Sequence, residues 1–159
     1  MPVAERAQGA VMIAVFATPD DVEAAFYEAI ARADLAALMS VWADDEEIVC
    51  IHPTGQRLAG AEAIRESWRS IFTNNPRLRV RISRGIRWHG MLIAVHNVVE
   101  TLYVGDERRG HGPMLATNVF QRGARGWRLL IHHSSTALDR EIGDGEQSSE
   151  RGASPRILH

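Results

Sequence analysis

Lysine is absent from this chain of 159 residues, and all 18 of its basic residues are arginine. Schiff-base catalysis needs an amine that loses its proton at accessible pH, which the guanidinium of arginine does not do. The absence therefore excludes lysine-anchored pyridoxal phosphate and aldolase-type chemistry. It also excludes the standard phosphate-binding loop, in which a lysine follows the glycines.

Cysteine is nearly as scarce, since Cys50 is the single thiol, and the net charge of -2 is small. One cysteine forms no internal disulfide, which is typical of reducing compartments, so we predict a cytoplasmic protein. The near-balanced charge supplies no general attraction to nucleic acid or to an anionic membrane. The apolar stretch 10–17 is far shorter than the about 20 residues that span a bilayer. We therefore expect that the protein binds neither nucleic acid nor a membrane.

The first half of the chain carries three helical patterns and one short strand. Thr18 begins the first helix as a capping residue, followed by a proline and two acids. Asp34 caps a second helix in the same way. Residues 48–52 (IVCIH) are rich in β-branched side chains and are followed by a proline, which predicts a strand that ends there. Residues 61–72 repeat apolar side chains every three to four positions, which predicts a third helix.

The second half has strand character throughout. Apolar residues alternate with arginines at 78–82, and further strands are predicted over 91–104, 114–122 and 127–135. Short connections make these four strands an antiparallel meander. Both faces of the strands at 91–104 and 114–122 are apolar, although an antiparallel sheet usually has one face exposed to solvent. We therefore predict a homodimer that buries the sheet face not covered by helices.

Arg77, Arg79 and Arg81 form a basic row on the first of these strands. Basic residues near aromatics are one signature of nucleic-acid binding. The simpler interpretation is a solvated strand face whose charges discourage edge pairing. We predict that the three side chains are exposed and bind no nucleic acid.

Two segments resemble bacterial SnoaL-like proteins, which belong to the nuclear-transport-factor-two-like superfamily. Their strand, His-Pro turn and third helix are similar to residues 48–72 (IVCIHPTGQRLAGAEAIRESWRSIF), and their last hairpin is similar to residues 116–135 (ATNVFQRGARGWRLLIHHSS). The resemblance extends over about residues 19–138. It implies an α+β fold in which three N-terminal helices pack on the concave face of a curved antiparallel sheet, around a cone-shaped pocket. The superfamily includes isomerases, cyclases, dehydratases and proteins without catalysis, so fold alone leaves the activity open.

The chain divides into three parts on this interpretation. Residues 18–138 form the SnoaL-like domain. Residues 1–17 are an N-terminal extension, and residues 139–159 are a polar, mobile C-terminal tail.

Histidine supplies the leading candidates for acid/base chemistry, because imidazole titrates near neutral pH. His52 ends the first predicted strand, and His96 lies within a later one. Alternation along the last strand groups His133 with its more apolar side chains and therefore places His133 inward and His132 outward. We predict that His133 lies in the pocket with His52 at its rim, as acid/base residues or as buried histidines satisfied by hydrogen bonds.

Glu100 is the one acid within the four late strands. Isomerases and cyclases of the superfamily place an aspartate on a pocket-facing strand, and this chain has no aspartate in those strands. Glu100 is thus a further catalytic candidate, or alternatively one half of a structural ion pair with an arginine.

Aromatic residues are only 6% of the chain, yet several lie on helical faces that look onto the sheet. We predict that a small, mostly apolar molecule binds among Tyr27, Trp42, His52, Trp68 and His133. No cofactor is expected. No metal site is expected either, because adjacent histidines point to opposite faces of a strand and no cysteine cluster exists. Three functions stay open: an acid/base enzyme, a ligand-binding module, and an association domain with a filled pocket.

Overall fold

The computed structural model of the chain describes residues 14–138, so the predicted tail and most of the predicted N-terminal extension lie outside the described residues. Three helices and six strands form in this range, none of the helices being long and apolar enough to cross a bilayer. The compartment stays a prediction. In chain order the elements are α1 Pro19–Ala31, α2 Leu35–Ser40, β1 Val49–Ile51, β2 Arg57–Ala59, α3 Ala61–Asn74, β3 Leu78–His89, β4 Ile93–Val104, β5 His111–Gly123 and β6 Gly126–Thr136.

Local signals in the sequence set the helix starts. The hydroxyl of Thr18 accepts a hydrogen bond from the backbone N–H of Asp21 (3.1 Å), and the Asp21 carboxylate accepts one from the backbone N–H of Thr18 (3.0 Å). This reciprocal pair is a capping box, which satisfies two backbone donors at the start of α1. The carboxylate of Asp34 caps α2 by accepting from the backbone N–H of Ala37 (2.9 Å). Both predicted caps are confirmed.

The six strands form one curved sheet in the order β2-β1-β6-β5-β4-β3. Strands β3 to β6 are the predicted antiparallel meander, and the α+β fold class is confirmed. Two features were not predicted. Strand β1 pairs parallel with β6, and residues 57–59, interpreted from sequence as loop, pair with β1 as strand β2.

The core lies between the three helices and the inner face of the sheet. Phe26 of α1 is 1% exposed and forms its centre. Its ring meets the rings of Trp42 and Trp68 edge-on, with centroids 6.2 and 5.8 Å away. Trp42 and Trp68 therefore belong to one aromatic cluster, held together by the residue between them.

A bulge in the last strand reverses its predicted faces. Val119 of β5 pairs with Ile131, but the next residue, Phe120, pairs with Leu129, so Leu130 is an extra residue in β6. An extra residue shifts the alternation of side chains by one position. The prediction that His133 points inward is therefore wrong: His132 is 4% exposed and faces the core, while His133 is exposed on the outer face.

The outer face of the sheet carries a continuous apolar row. Trp88 of β3, Val95 of β4, Val119 of β5 and Ile131 of β6 are cross-strand neighbours in that order. Trp88 is 56% exposed, and the other three are half-buried within the protomer.

The predicted basic row lies beside this apolar surface. Arg77, Arg79 and Arg81 are all exposed, as predicted. Arg77 forms a bidentate ion pair with Asp106. The guanidinium carbon of Arg79 lies over the ring of Tyr103, 5.6 Å from the ring centroid. Their expected lack of nucleic-acid binding stays a prediction.

Candidate functional site

A cavity of about 860 Å³ lies between α3 and the inner face of the sheet. The hairpin that connects β1 to β2 forms one side of it, and strands β3 and β4 form the other. Most of its walls are aliphatic, including Ile30, Leu58, Ile71, Leu78, Val80 and Leu102. Polar side chains of the β1–β2 hairpin and α3 also line it, and four further polar side chains come from the end of β1 and from strands β4 and β6: His52, Glu100, His132 and Ser134. A mostly apolar cavity with few converging polar groups is the usual form of a small-molecule site.

Glu100 is fixed in the cavity wall by two hydroxyl groups. The hydroxyl of Tyr27 donates to Oε1 at 2.7 Å, and the hydroxyl of Ser134 donates to Oε2 at 2.6 Å. Burial, followed by the charge of Glu100, raises the pKa of Tyr27 well above its usual value of 10.0, so this hydroxyl keeps its proton. Glu100 therefore presents an acceptor of fixed orientation, and its predicted pairing with an arginine is not found among the described residues.

Asn118 fixes the tautomer of His132. The amide nitrogen of Asn118 donates to Oε2 of Glu23 (3.1 Å) and to the hydroxyl of Tyr27 (3.3 Å), which leaves its amide oxygen as an acceptor. That oxygen lies 2.7 Å from Nδ1 of His132. Nδ1 therefore carries the proton and donates it, so Nε2 of His132 keeps its lone pair.

Two acceptors face each other in the cavity as a result. Nε2 of His132 lies 4.0 Å from Oε1 of Glu100. Burial lowers the pKa of His132 below its ordinary 6.5, outweighing the opposite effect of the Glu100 charge, so the imidazole is neutral at neutral pH. Neutral Nε2 and the Glu100 carboxylate cannot bond to each other without a hydrogen between them. A bound molecule that presents an acidic hydrogen would satisfy both.

His52 lies across the same cavity, at the end of β1. Its Nε2 is 2.9 Å from the hydroxyl of Ser67, and its ring packs edge-on against Trp68 at 5.3 Å. Burial lowers the pKa of His52, so this imidazole is also neutral at neutral pH. Burial also raises the pKa of the neighbouring Cys50 thiol to about 12, which leaves no reactive thiolate there.

The predicted site residues divide between the cavity and other places. His52, Trp68 and Glu100 line the cavity, and Tyr27 stands behind it with its hydroxyl on Glu100. Trp42 does not line it, because Trp42 lies on the far side of Phe26 and borders a separate surface depression near Arg128. His133 does not line it either, since the Leu130 bulge turns it outward and puts His132 in its place.

Sequence reasoning missed the polar residues that support the site. Glu23 and Asn118 are 2% and 1% exposed and join the cavity wall to α1. A signal for Glu23 exists, because positions 23, 26, 27 and 30 share one face of a helix, and the other three are apolar or aromatic core residues. Asn118 likewise alternates with the core residues Ala116 and Phe120 along β5.

Comparisons with known proteins agree with this architecture. Residues 20–139 match the SnoaL-like domain family. A proposed calcium/calmodulin-dependent protein kinase type II association domain from Thiobacillus denitrificans has a similar crystal structure, with a TM-score of 0.73 and 37% identity over 79% of this chain and 99% of that one. A proposed dehydratase of the NTF2-like family from Streptomyces avermitilis has a TM-score of 0.67 and 29% identity over 76% of this chain and 99% of that one.

One curated relative is a plant protein. The F-box protein SKIP8 of Arabidopsis thaliana is 27% identical over 124 residues, which cover 74% of this chain but 48% of that protein. The chain thus spans about half the length of this relative. The family match extends over most of the described domain. On this evidence, the chain belongs to the SnoaL-like domain family, within the NTF2-like fold.

Proposed function

We propose that this protein binds a small, mostly apolar molecule in the cavity and performs acid/base chemistry on it through His132, without a cofactor. The observation that carries the proposal is the pair of acceptors, Nε2 of His132 and Oε1 of Glu100, 4.0 Å apart in an apolar cavity. Such a pair favours a ligand with an acidic hydrogen, on oxygen or on a carbon next to a carbonyl group.

The neighbours of His132 suit the role of a general base. A histidine must be unprotonated before it takes a proton, and burial favours that state by lowering the pKa of His132. The proton taken from the ligand makes an imidazolium, and the Glu100 carboxylate beside it stabilises that charge. Asn118 holds the ring from the opposite nitrogen and fixes its orientation. A carboxylate and an orienting acceptor around one imidazole follow the logic of other histidine bases.

The reaction class we propose is proton transfer of the dehydratase or isomerase kind. A dehydration removes a proton from carbon and protonates a departing hydroxyl, which requires two groups, and an isomerisation returns the proton to another carbon. His52 and His132 both line the cavity and offer two imidazoles for these steps. The proposed dehydratase from Streptomyces avermitilis, 29% identical to this chain, supports the first class.

A matched pair of probes tests donor recognition in the cavity. We expect 2-naphthol, a flat apolar molecule with one hydroxyl donor, to bind about tenfold to hundredfold more tightly than 2-methoxynaphthalene, in which a methyl group replaces that hydrogen. A hydrogen bond to a charged group contributes about 1.5–3 kcal/mol, and the methoxy compound loses it. Isothermal titration calorimetry measures both affinities. Equal affinities for the two compounds would contradict donor recognition by His132 and Glu100.

We also propose that the protein is a homodimer through the outer face of the sheet. The apolar row of Trp88, Val95, Val119 and Ile131 crosses four strands of that face. Ile86 and Ile93, which are 56% and 44% exposed, extend the apolar surface beside it. A contiguous apolar surface of this kind marks an interaction site in soluble proteins. The related protein from Thiobacillus denitrificans carries the name of an association domain, which is in keeping with this assembly.

A charge placed in the centre of that face tests the dimer. We expect a dimeric mass at micromolar concentration by light scattering, and a monomeric mass for Val119→Arg, because an arginine there would be buried without a partner at the interface. Glu107→Arg, on the exposed turn between β4 and β5, is the matched control and should stay dimeric. A monomeric parent protein, or a dimer that survives Val119→Arg, would refute this interface.

A further inference from the structure

A second group of titratable side chains lies outside the cavity, where the first turn of α1 meets the hairpin between β3 and β4. Nε2 of His89 is 2.8 Å from Nε2 of His96 and 3.7 Å from Oδ2 of Asp20. The three side chains each offer one ligand atom, and these atoms lie within 4.8 Å of one another. None of the three residues lines the cavity.

The buried member of this group, His96, is oriented by the carboxylate of Glu23 behind it. His96 is fully buried, and its Nδ1 lies 3.0 Å from Oε2 of Glu23, a carboxylate oxygen that only accepts. Nδ1 therefore carries the proton, and Nε2 of His96 points its lone pair at His89. A carboxylate on the far nitrogen of a histidine is the usual outer-shell partner of a metal-binding imidazole, since it fixes the tautomer and makes the ligand more basic.

Arg87 sits beside the group and binds the remaining carboxylate oxygens. Its guanidinium is 2.9 Å from Oε1 of Glu23 and 3.1 Å from Oδ1 of Asp20. The second oxygen of each carboxylate is thereby left to face a histidine. The carboxylates of Asp20 and Glu23 carry two negative charges and Arg87 carries one positive charge, so these three side chains leave one net negative charge beside the histidines, which favours a cation.

We propose that Asp20, His89 and His96 bind a divalent transition-metal ion, for which Zn²⁺ is the best match. Two imidazoles and one carboxylate are a common zinc ligand set. Zinc ligands at about 2.0–2.1 Å in a tetrahedron stand about 3.3 Å from each other. The two separations from His89, 2.8 and 3.7 Å, lie on either side of that value, and the separation between His96 and Asp20 is at most 4.8 Å, so a shift of the His89 and Asp20 side chains would admit the ion.

The exposure of the ligands allows that shift and leaves room for a further ligand. The side chains of His89 and Asp20 are 44% and 52% exposed, whereas His96 is held rigidly from behind by Glu23. Solvent can therefore supply a fourth ligand at the open side. Sequence spacing does not indicate this site, because its three residues come from α1, β3 and β4 and meet only in the folded chain.

Zinc binding by the full chain tests this site. Equilibrium dialysis against ZnCl₂ should show one ion per chain, and Co²⁺ substituted for Zn²⁺ should give the visible absorption of a tetrahedral site. His89→Ala should weaken Zn²⁺ binding by at least about a hundredfold, because loss of an outer-shell partner alone costs tenfold to hundredfold. His89 is partly exposed, so this variant keeps the core intact, which circular dichroism verifies.

A second histidine variant separates the site from adventitious binding. His111→Ala removes an exposed histidine that pairs with Glu107 on another surface, and it should bind Zn²⁺ as the parent protein does. Absence of stoichiometric Zn²⁺ binding, unchanged affinity in His89→Ala, or equal losses in the two variants would each overturn the proposal. The readout is independent of any activity in the cavity.

Discussion

Replacing Trp68 by alanine should lower the free energy of unfolding by about 3–5 kcal/mol, the range for a large aromatic side chain removed from a core. Trp68 is 5% exposed and lies between the central core and the cavity. Its ring centroid is 5.8 Å from that of Phe26, 5.6 Å from that of Phe72 and 5.3 Å from that of His52. All three aromatic contacts would be lost at once, and the cavity would grow into the core.

The loss should come from packing rather than from hydrogen bonding. The indole N–H of Trp68 makes no close hydrogen bond among residues 14–138 and interacts only weakly with the sulfur of Cys50, a poor acceptor, so the variant loses at most a weak hydrogen bond there. Trp68→Phe is the matched control, because phenylalanine keeps part of the aromatic contact and should cost much less. Urea unfolding followed by circular dichroism, at one fixed protein concentration because a dimer's stability depends on it, measures both variants. A loss below about 1 kcal/mol for Trp68→Ala would show that this wall is not part of the core.

Most of the fold could be predicted from the sequence because its signals are local. The capping residues Thr18 and Asp34 and the helical periodicity of residues 61–72 each act within a few positions of the chain. Strand alternation and short connections identified the meander in the same way. The parallel pairing of β1 with β6 joins residues about 80 positions apart, and no local signal specifies such a contact.

The site was predicted less well, and the wrong orientation of its two adjacent histidines traces to one residue. Strict alternation along β6 assigns His133 inward, and this argument holds only while the strand is regular. The extra residue Leu130 breaks the regularity and exchanges the roles of His132 and His133. The sequence shows two adjacent histidines but not which one the bulge turns inward, because the bulge depends on how β5 pairs with β6.

The support of the site depends on contacts between distant elements. Glu100 was a candidate because it is the one acid on the late strands, but its partners, Tyr27 and Ser134, come from α1 and β6. Asn118 and Glu23 extend the same network toward α1. Each of these residues could be placed on a buried face by periodicity. Their mutual contacts follow only from the packing of α1 across β4, β5 and β6.

The proposed base, His132, is tested most directly by proton exchange at carbon. The parent protein in D₂O should accelerate the exchange of the α-hydrogens of 2-tetralone, a bicyclic apolar ketone of the same size as 2-naphthol. His132→Asn should reduce this acceleration by about 10²–10⁴-fold, the usual contribution of a general base. The asparagine amide replaces the Nδ1 donor toward Asn118 but supplies no base. His133→Asn, on the outer face, is the matched control and should exchange at the parent rate.

The pH dependence of the exchange identifies the group that acts. A base works only when unprotonated, so the rate should be constant at neutral pH and fall as the pH drops through the pKa of His132. Burial lowers that pKa, so the midpoint should lie below 6.5. Nuclear magnetic resonance measures the exchange at each pH. We predict acceleration that disappears in His132→Asn and persists in His133→Asn, and exchange that is equally fast in all three proteins would contradict the assignment of His132 as the base.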